Sequence, residues 1–226
     1  MNTQIKRIHR EVKERGLFKF ALICYFHLDR LFENAKLKPV SIRSPERSSL
    51  MKSGTENDQA EILQKAFDKG KRHELESGGC AQCCLAGIFE ALEIEDDGVF
   101  RAATGFADGV GLTGDGHCGA LSGGVLAIGY LFGRAGEQFG DMKKQLKACI
   151  LSKKLHDAFV EKYGTCRCED LQTKLAGRFF NLYDPKEMEA ALEAGMPEKC
   201  STVVGEAARM AAHIILEERG REEKKE

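Results

Sequence analysis

From residue 58 onward, apolar residues return every third or fourth position, and nowhere does a run of β-branched residues alternate with polar ones. Recurrence at i, i+3, i+4 and i+7 marks one face of a helix, whereas a half-buried strand needs a period of two. The expected fold class is therefore all-α, a compact multi-helix bundle. Ile62, Leu63, Ala66 and Phe67 fit one helix over 58–76, and Cys84, Ala86, Ile88, Ala91 and Leu92 fit a second over 80–93. Residues 119–132 are apolar all round, as a central buried helix would be. Over 139–163, Met142, Leu146, Ile150, Leu155 and Phe159 are assigned to one side of a long amphipathic helix. Pro185 suits the first turn of the helix that Gly195 ends, and a last helix is expected over 201–219.

The segment before residue 58 is different. Residues 37–57 are polar, with Pro39, Pro45 and Gly54, and read as a linker. Ahead of it lies a basic arm, residues 1–36. Leu17, Phe20, Ala21, Cys24, Leu28 and Leu31 fall there at helical spacing among basic residues. A basic amphipathic helix can lie on an anionic membrane surface, dock on a partner, or pack on its own domain or across a homo-oligomer. The arm imitates a signal peptide, but Lys19, His27 and Asp29 interrupt its apolar part and no small-residue cleavage site follows. The expected compartment is cytoplasmic, where thiols stay reduced unless they are catalytic or hold a metal. With 34 basic and 35 acidic residues, the net charge of −1 gives no general case for nucleic-acid binding.

Nine cysteines are the compositional outlier, and their odd number rules out a fully paired disulfide framework within one chain. Cys24 and Cys149 lie in apolar helical stretches and read as small core hydrophobes. Cys80, Cys118, Cys166 with Cys168, and Cys200 each follow a glycine- or proline-containing turn and lead into a helical segment. A helix start offers unpaired N–H groups and a partial positive charge, and both favour a thiolate. Four such placements can converge on one centre. Thirteen of the 24 glycines lie between Gly98 and Gly140. Among them, Gly109-Val-Gly111-Leu-Thr-Gly114 spells a dinucleotide loop but lacks the preceding strand that such a loop requires. The glycine wall over 109–124, with Gly116, His117 and Gly119 beside Cys118, would instead let backbone approach a cofactor closely.

The stretches GGCAQCCLAGIFEAL, GHCGALSGGVLAIG, CRCEDL and EKCSTVVGEAA resemble the C_GCAxxG_C_C family of small redox-active proteins, whose module is similar to one in split-Soret cytochromes. The resemblance covers residues 58–217. It implies that the four family cysteines fall on Cys80, Cys118, Cys168 and Cys200, with Cys168 preferred over Cys166 because Cys-x-x-Leu is the usual spelling there. Cys83, Cys84 and Cys166 are extra. The chain has no CxxCH, so haem is not implied. An iron–sulfur cluster held by the four cysteines is implied, in an electron-transfer protein serving a redox partner protein.

Two other functions remain open from the residues. One is a metal-free thiol–disulfide oxidoreductase using the same four thiols, with His117 as an acid or base. The other is a structural zinc module, although zinc sites usually show two close cysteine pairs. Hydrolase chemistry has no support, because no Ser–His–Asp set, paired carboxylates or HExxH is present.

Overall fold

The computed structural model describes residues 56–225, which are helical nearly throughout and contain no strand. The elements in chain order are α1 (Glu56–Ser77), α2 (Cys80–Ala91), α3 (Asp97–Ala102), α4 (Gly119–Phe132), α5 (Met142–Tyr163), α6 (Cys168–Ala176), α7 (Pro185–Glu193) and α8 (Met196–Glu223). The basic arm over 1–36 lies outside the described residues, as do Cys24 and nearly all of the 37–57 linker. Helix α1 begins at Glu56, inside the segment read as linker. No described helix is long and apolar enough to cross a membrane.

Local signals explain the helix ends. Asp96, Asp141 and Asp184 cap α3, α5 and α7 by accepting from the N–H groups of Val99, Lys144 and Lys186. Gly164 and Gly177 take the left-handed conformation just past α5 and α6, at φ 70° and 84°.

Helix α8 runs along α1, α2 and α4, and its Val204, Ala207, Ala208, Ala211, Ala212 and Ile215 are buried against them. Leu85, Ile88, Ile128, Leu155 and Phe159 complete the centre of this core. Each such side chain stabilises the fold by about 1.5–3 kcal/mol relative to exposure. Small residues set the helix spacing. A Cβ at Gly87 would stand 2.6 Å from the Gly70 backbone, and one at Gly123 would stand 2.3 Å from the Ala81 carbonyl oxygen. Helices α1, α2 and α4 therefore touch backbone to backbone. A second, smaller apolar cluster is made by Phe180, Ala191 and Met196, with Leu182 and Cys200 packed on it.

Two expectations fail. Met142, Leu146, Ile150 and Cys149 are exposed on α5, while Leu151, Leu155 and Phe159 are its buried face. At roughly 100° per residue, positions 142, 146 and 150 drift together, but the five-residue step to 155 carries the chain to the opposite side. The second concerns Cys200. Helix α8 starts at Met196, with Pro197 in its first turn, so Cys200 is its fifth residue rather than its leader.

Candidate functional site

Cys80 is the first residue of α2, preceded by Gly78 and Gly79 at φ 69° and 89°. Cys118 is the residue immediately before α4, and Cys168 opens α6. These three helix starts and the second turn of α8 meet at one cavity of about 160 Å³ between the main core and the smaller cluster. Cys80, Cys118, Cys168 and Cys200 all line it, together with Glu74, Asp108 and an otherwise mainly aliphatic wall. All four thiols are free.

Two connections place these cysteines. The Cys118 N–H donates to the Cys166 carbonyl at 2.8 Å, and the Cys168 N–H donates to the Gly116 carbonyl at 3.0 Å. Residues 116–118 and 166–168 are thereby clamped side by side, with His117 and Arg167 paired as a lone antiparallel bridge. The other connection is contact between α2 and α4. A Cβ on Gly119 would lie 2.2 Å from the Cys80 sulfur, so only glycine lets Cys118 and Cys80 come so near.

The wall opposite is the glycine-rich loop. Its residues Asp108, Gly109, Val110, Gly111 and Leu112 all have positive φ, between 47° and 74°. Three of them carry side chains that resist this region, the β-branched Val110 most of all. The curl turns Asp108 inward. Its N–H donates to the Cys80 sulfur at 3.4 Å, and its Oδ1 accepts from the Cys168 thiol at 3.0 Å and from the Gln172 amide. Tyr183 fastens the loop from outside, donating to the Gly111 carbonyl at 2.9 Å.

Burial governs the electrostatics. Desolvation, then Glu74 and the neighbouring thiols, hold the Cys80 thiol well above its ordinary pKa. Cys118 is pushed up to about 12 by burial, although the N–H groups of Ala120 and Leu121 point at its sulfur and oppose the shift. Cys168 and Cys200 are raised by the same desolvation. Helix-start N–H groups were expected to favour thiolates, and at Cys118 they do act in that direction, but water exclusion outweighs them. Glu74 is 7% exposed and its carboxyl is raised to about 7, by burial first and by Asp108 facing it.

The other candidates stand apart. His117 is exposed, its ring edge-on to His156 at 6.4 Å, and Gly116 packs on the Gly109 carbonyl; neither lines the cavity. Gly119 supports Cys80 from behind. Cys83 and Cys84 are core residues, and the Cys83 thiol donates to the Gly78 carbonyl at 3.0 Å. Glu74, Asp108 and Gln172 were not read from the sequence as site residues. Glu74 carried a signal, since it follows Ala66 and Gly70 at four-residue steps along the buried face of α1. An acid on such a face needs a reason to be there.

The family model described as "Putative redox-active protein (C_GCAxxG_C_C)" matches residues 79–214, more than half of the 226-residue chain. Among curated proteins and among solved structures, none matches this chain.

Proposed function

Since the chain belongs to the C_GCAxxG_C_C family, we propose that Cys80, Cys118, Cys168 and Cys200 bind an iron–sulfur cluster in this cavity and that the protein transfers electrons. One observation carries the proposal. Four thiols from four separate segments line a single cavity, and none is used in a disulfide. The donor set suits the cofactor, since clusters are held by cysteine thiolates and tuned by hydrogen bonds to sulfur and by exclusion of water. The Asp108 N–H at the Cys80 sulfur and the aliphatic wall supply both.

Buried carboxylate oxygens of Glu74 and Asp108 without partners further mark the cavity as incomplete without an occupant. When bound, such a cluster accepts or releases one electron at a time. The chain's own part is to hold the four sulfurs in place, exclude water, and give up the thiol protons on loading.

The dithiol reading fits less well. Disulfide exchange needs an accessible thiolate, whereas Cys118 is 6% exposed with its pKa pushed up to about 12. A single zinc ion fits less well too. Among the described residues, no three His, Cys, Asp or Glu side chains gather closely enough to hold one ion. A cluster spreads its thiolates over separate irons, so its ligands stand farther apart.

The test is anaerobic purification of the full chain, followed by a visible spectrum and assays of iron, acid-labile sulfide, zinc and thiols. Brown protein with iron and sulfide in stoichiometric amounts is expected. Cys118→Ser should lose both, while Cys83→Ser keeps them. A colourless, iron-free protein that takes up no iron and sulfide, and whose thiols oxidise reversibly, would overturn the proposal.

A further inference from the structure

One apolar surface is left uncovered at the start of α5. Phe139 just ahead of the helix, then Met142, Leu146 and Ile150 within it, are between 49% and 74% exposed. At four-residue steps the last three form one stripe along the outer face, and none of the four lines the cavity. Single exposed apolar residues are ordinary, whereas a contiguous patch marks a contact surface. The stripe runs through basic surroundings. Residues 134–154 hold six Lys or Arg against two acids, Glu137 and Asp141. Asp141 is committed to capping α5, Lys147 to Glu218 and Glu222, and Lys153 to Asp157. Lys143 and Lys154 have no acidic partner among the described residues. The Arg134 guanidinium lies over the Phe139 ring at 4.5 Å.

A second basic segment is tethered at the same end of the bundle. Residues 1–36 hold eight Lys or Arg against four acids, in a chain whose totals are 34 and 35. Helix α8 runs antiparallel to α1, with Gly70 beside Val204 and Gln64 bonded to Arg209. It also runs antiparallel to α5, where Lys162 pairs with Glu206 and Lys147 with Glu218. The starts of α1 and α5 therefore both lie where α8 finishes. The 37–55 segment that joins the arm to α1 spans up to about 60 Å when extended, so the arm reaches the plane of the stripe. We propose that the outer face of α5 and the basic arm together rest on an anionic lipid bilayer, lying in its headgroup layer without crossing it. Charge decides among the possible occupants. Either the arm folded onto α5 or a second copy of α5 would set lysines against lysines, whereas anionic headgroups attract both basic segments. Lysine stems flanking an apolar stripe bury their methylenes beside it and keep the ammonium among the phosphates.

The test mixes the full chain with sedimenting vesicles, either phosphatidylcholine alone or equal parts phosphatidylcholine and phosphatidylglycerol. The wild type is expected to pellet with the anionic vesicles and to stay in solution with the neutral ones. Leu146→Glu combined with Ile150→Glu should lower partitioning about tenfold or more, and Lys143→Glu combined with Lys154→Glu should lower it as well. Circular dichroism establishes that the variants fold; if the apolar pair does not, the lysine pair carries the test. A wild type that stays off anionic vesicles overturns the proposal, as does equal binding to neutral ones. Binding that a folded variant leaves unchanged also overturns it, since the arm alone would then be the anchor. A lipid-free wild-type dimer that Leu146→Glu dissociates, with no vesicle binding, assigns the stripe to a second copy instead.

Discussion

Glu74 offers the sharpest quantitative check on the electrostatics of the cavity. Its folded-state pKa is raised from an ordinary 4.5 to about 7, chiefly by burial. Below pH 4.5 the carboxyl is neutral whether the chain is folded or not, and contributes nothing to pH dependence. As pH rises through the interval, the unfolded chain loses its proton while the folded one keeps it. Stability therefore falls with pH until the folded group also ionises near 7, and the full penalty is present above that. At about 1.4 kcal/mol per tenfold change, the penalty is about 1 kcal/mol at pH 5 and about 3 kcal/mol at pH 8. Glu74→Gln removes the charge at almost unchanged side-chain size. Urea denaturation of the metal-free, reduced full chain should show the variant more stable than wild type at pH 8, with the advantage shrinking by about 2 kcal/mol at pH 5. An advantage equal at both pH values, or a variant weaker at pH 8, would refute the argument.

Three further outcomes follow from the same geometry. Val110→Gly should raise metal-free stability by about 0.5–1 kcal/mol, because Val110 sits at φ 68° and is 49% exposed; thermal unfolding should shift upward by a few degrees. Gly119→Ala should destabilise by about 1–3 kcal/mol, since its Cβ would meet the Cys80 sulfur at 2.2 Å. Gly129→Ala on the same helix meets nothing and should gain about 1 kcal/mol, which makes it the paired control in the same melt. In folded metal-free protein at neutral pH, alkylation mapped by mass spectrometry should label exposed Cys149 first. Cys118, its pKa pushed up to about 12, should resist until the chain is denatured.

The sequence made the helices legible because their apolar periods are long and their caps are explicit. The span 119–132 was read to the residue, and Pro185 marked the start of α7. Place after turns also set Cys80, Cys118, Cys166, Cys168 and Cys200 apart from the other cysteines, while the choice of Cys168 over Cys166 comes from the family resemblance. Orientation within a helix was harder to read. On α5 the apolar residues divide between two faces, because packing on α4 and α8 selects Leu151, Leu155 and Phe159 only. The sign of the thiol shifts was not legible either. A helix start is a local feature, whereas desolvation depends on what the rest of the chain lays over it. Asp108 illustrates the same limit, because five consecutive positive φ angles turn it inward and only two of those positions are glycine.

Several unfavourable features of this molecule meet at one place. The left-handed run at 108–112, the unpartnered oxygens of Glu74 and Asp108, and the four thiols whose ionisation is suppressed all border one cavity. Backbone strain of that kind costs of order 1–3 kcal/mol per residue and persists only where the surroundings over-determine it. Here they do, through Tyr183, the Gly116 and Cys118 hydrogen bonds, and the Gly119 contact with Cys80. A cluster held by the four sulfurs would replace the thiol protons, reversing that part of the penalty while leaving the backbone part in place. Stability of the loaded protein should then exceed that of the metal-free chain, by an amount that grows with pH as fewer protons need displacing. A purely structural reading of the cavity, with nothing bound, has no counterpart for that pH-dependent gain.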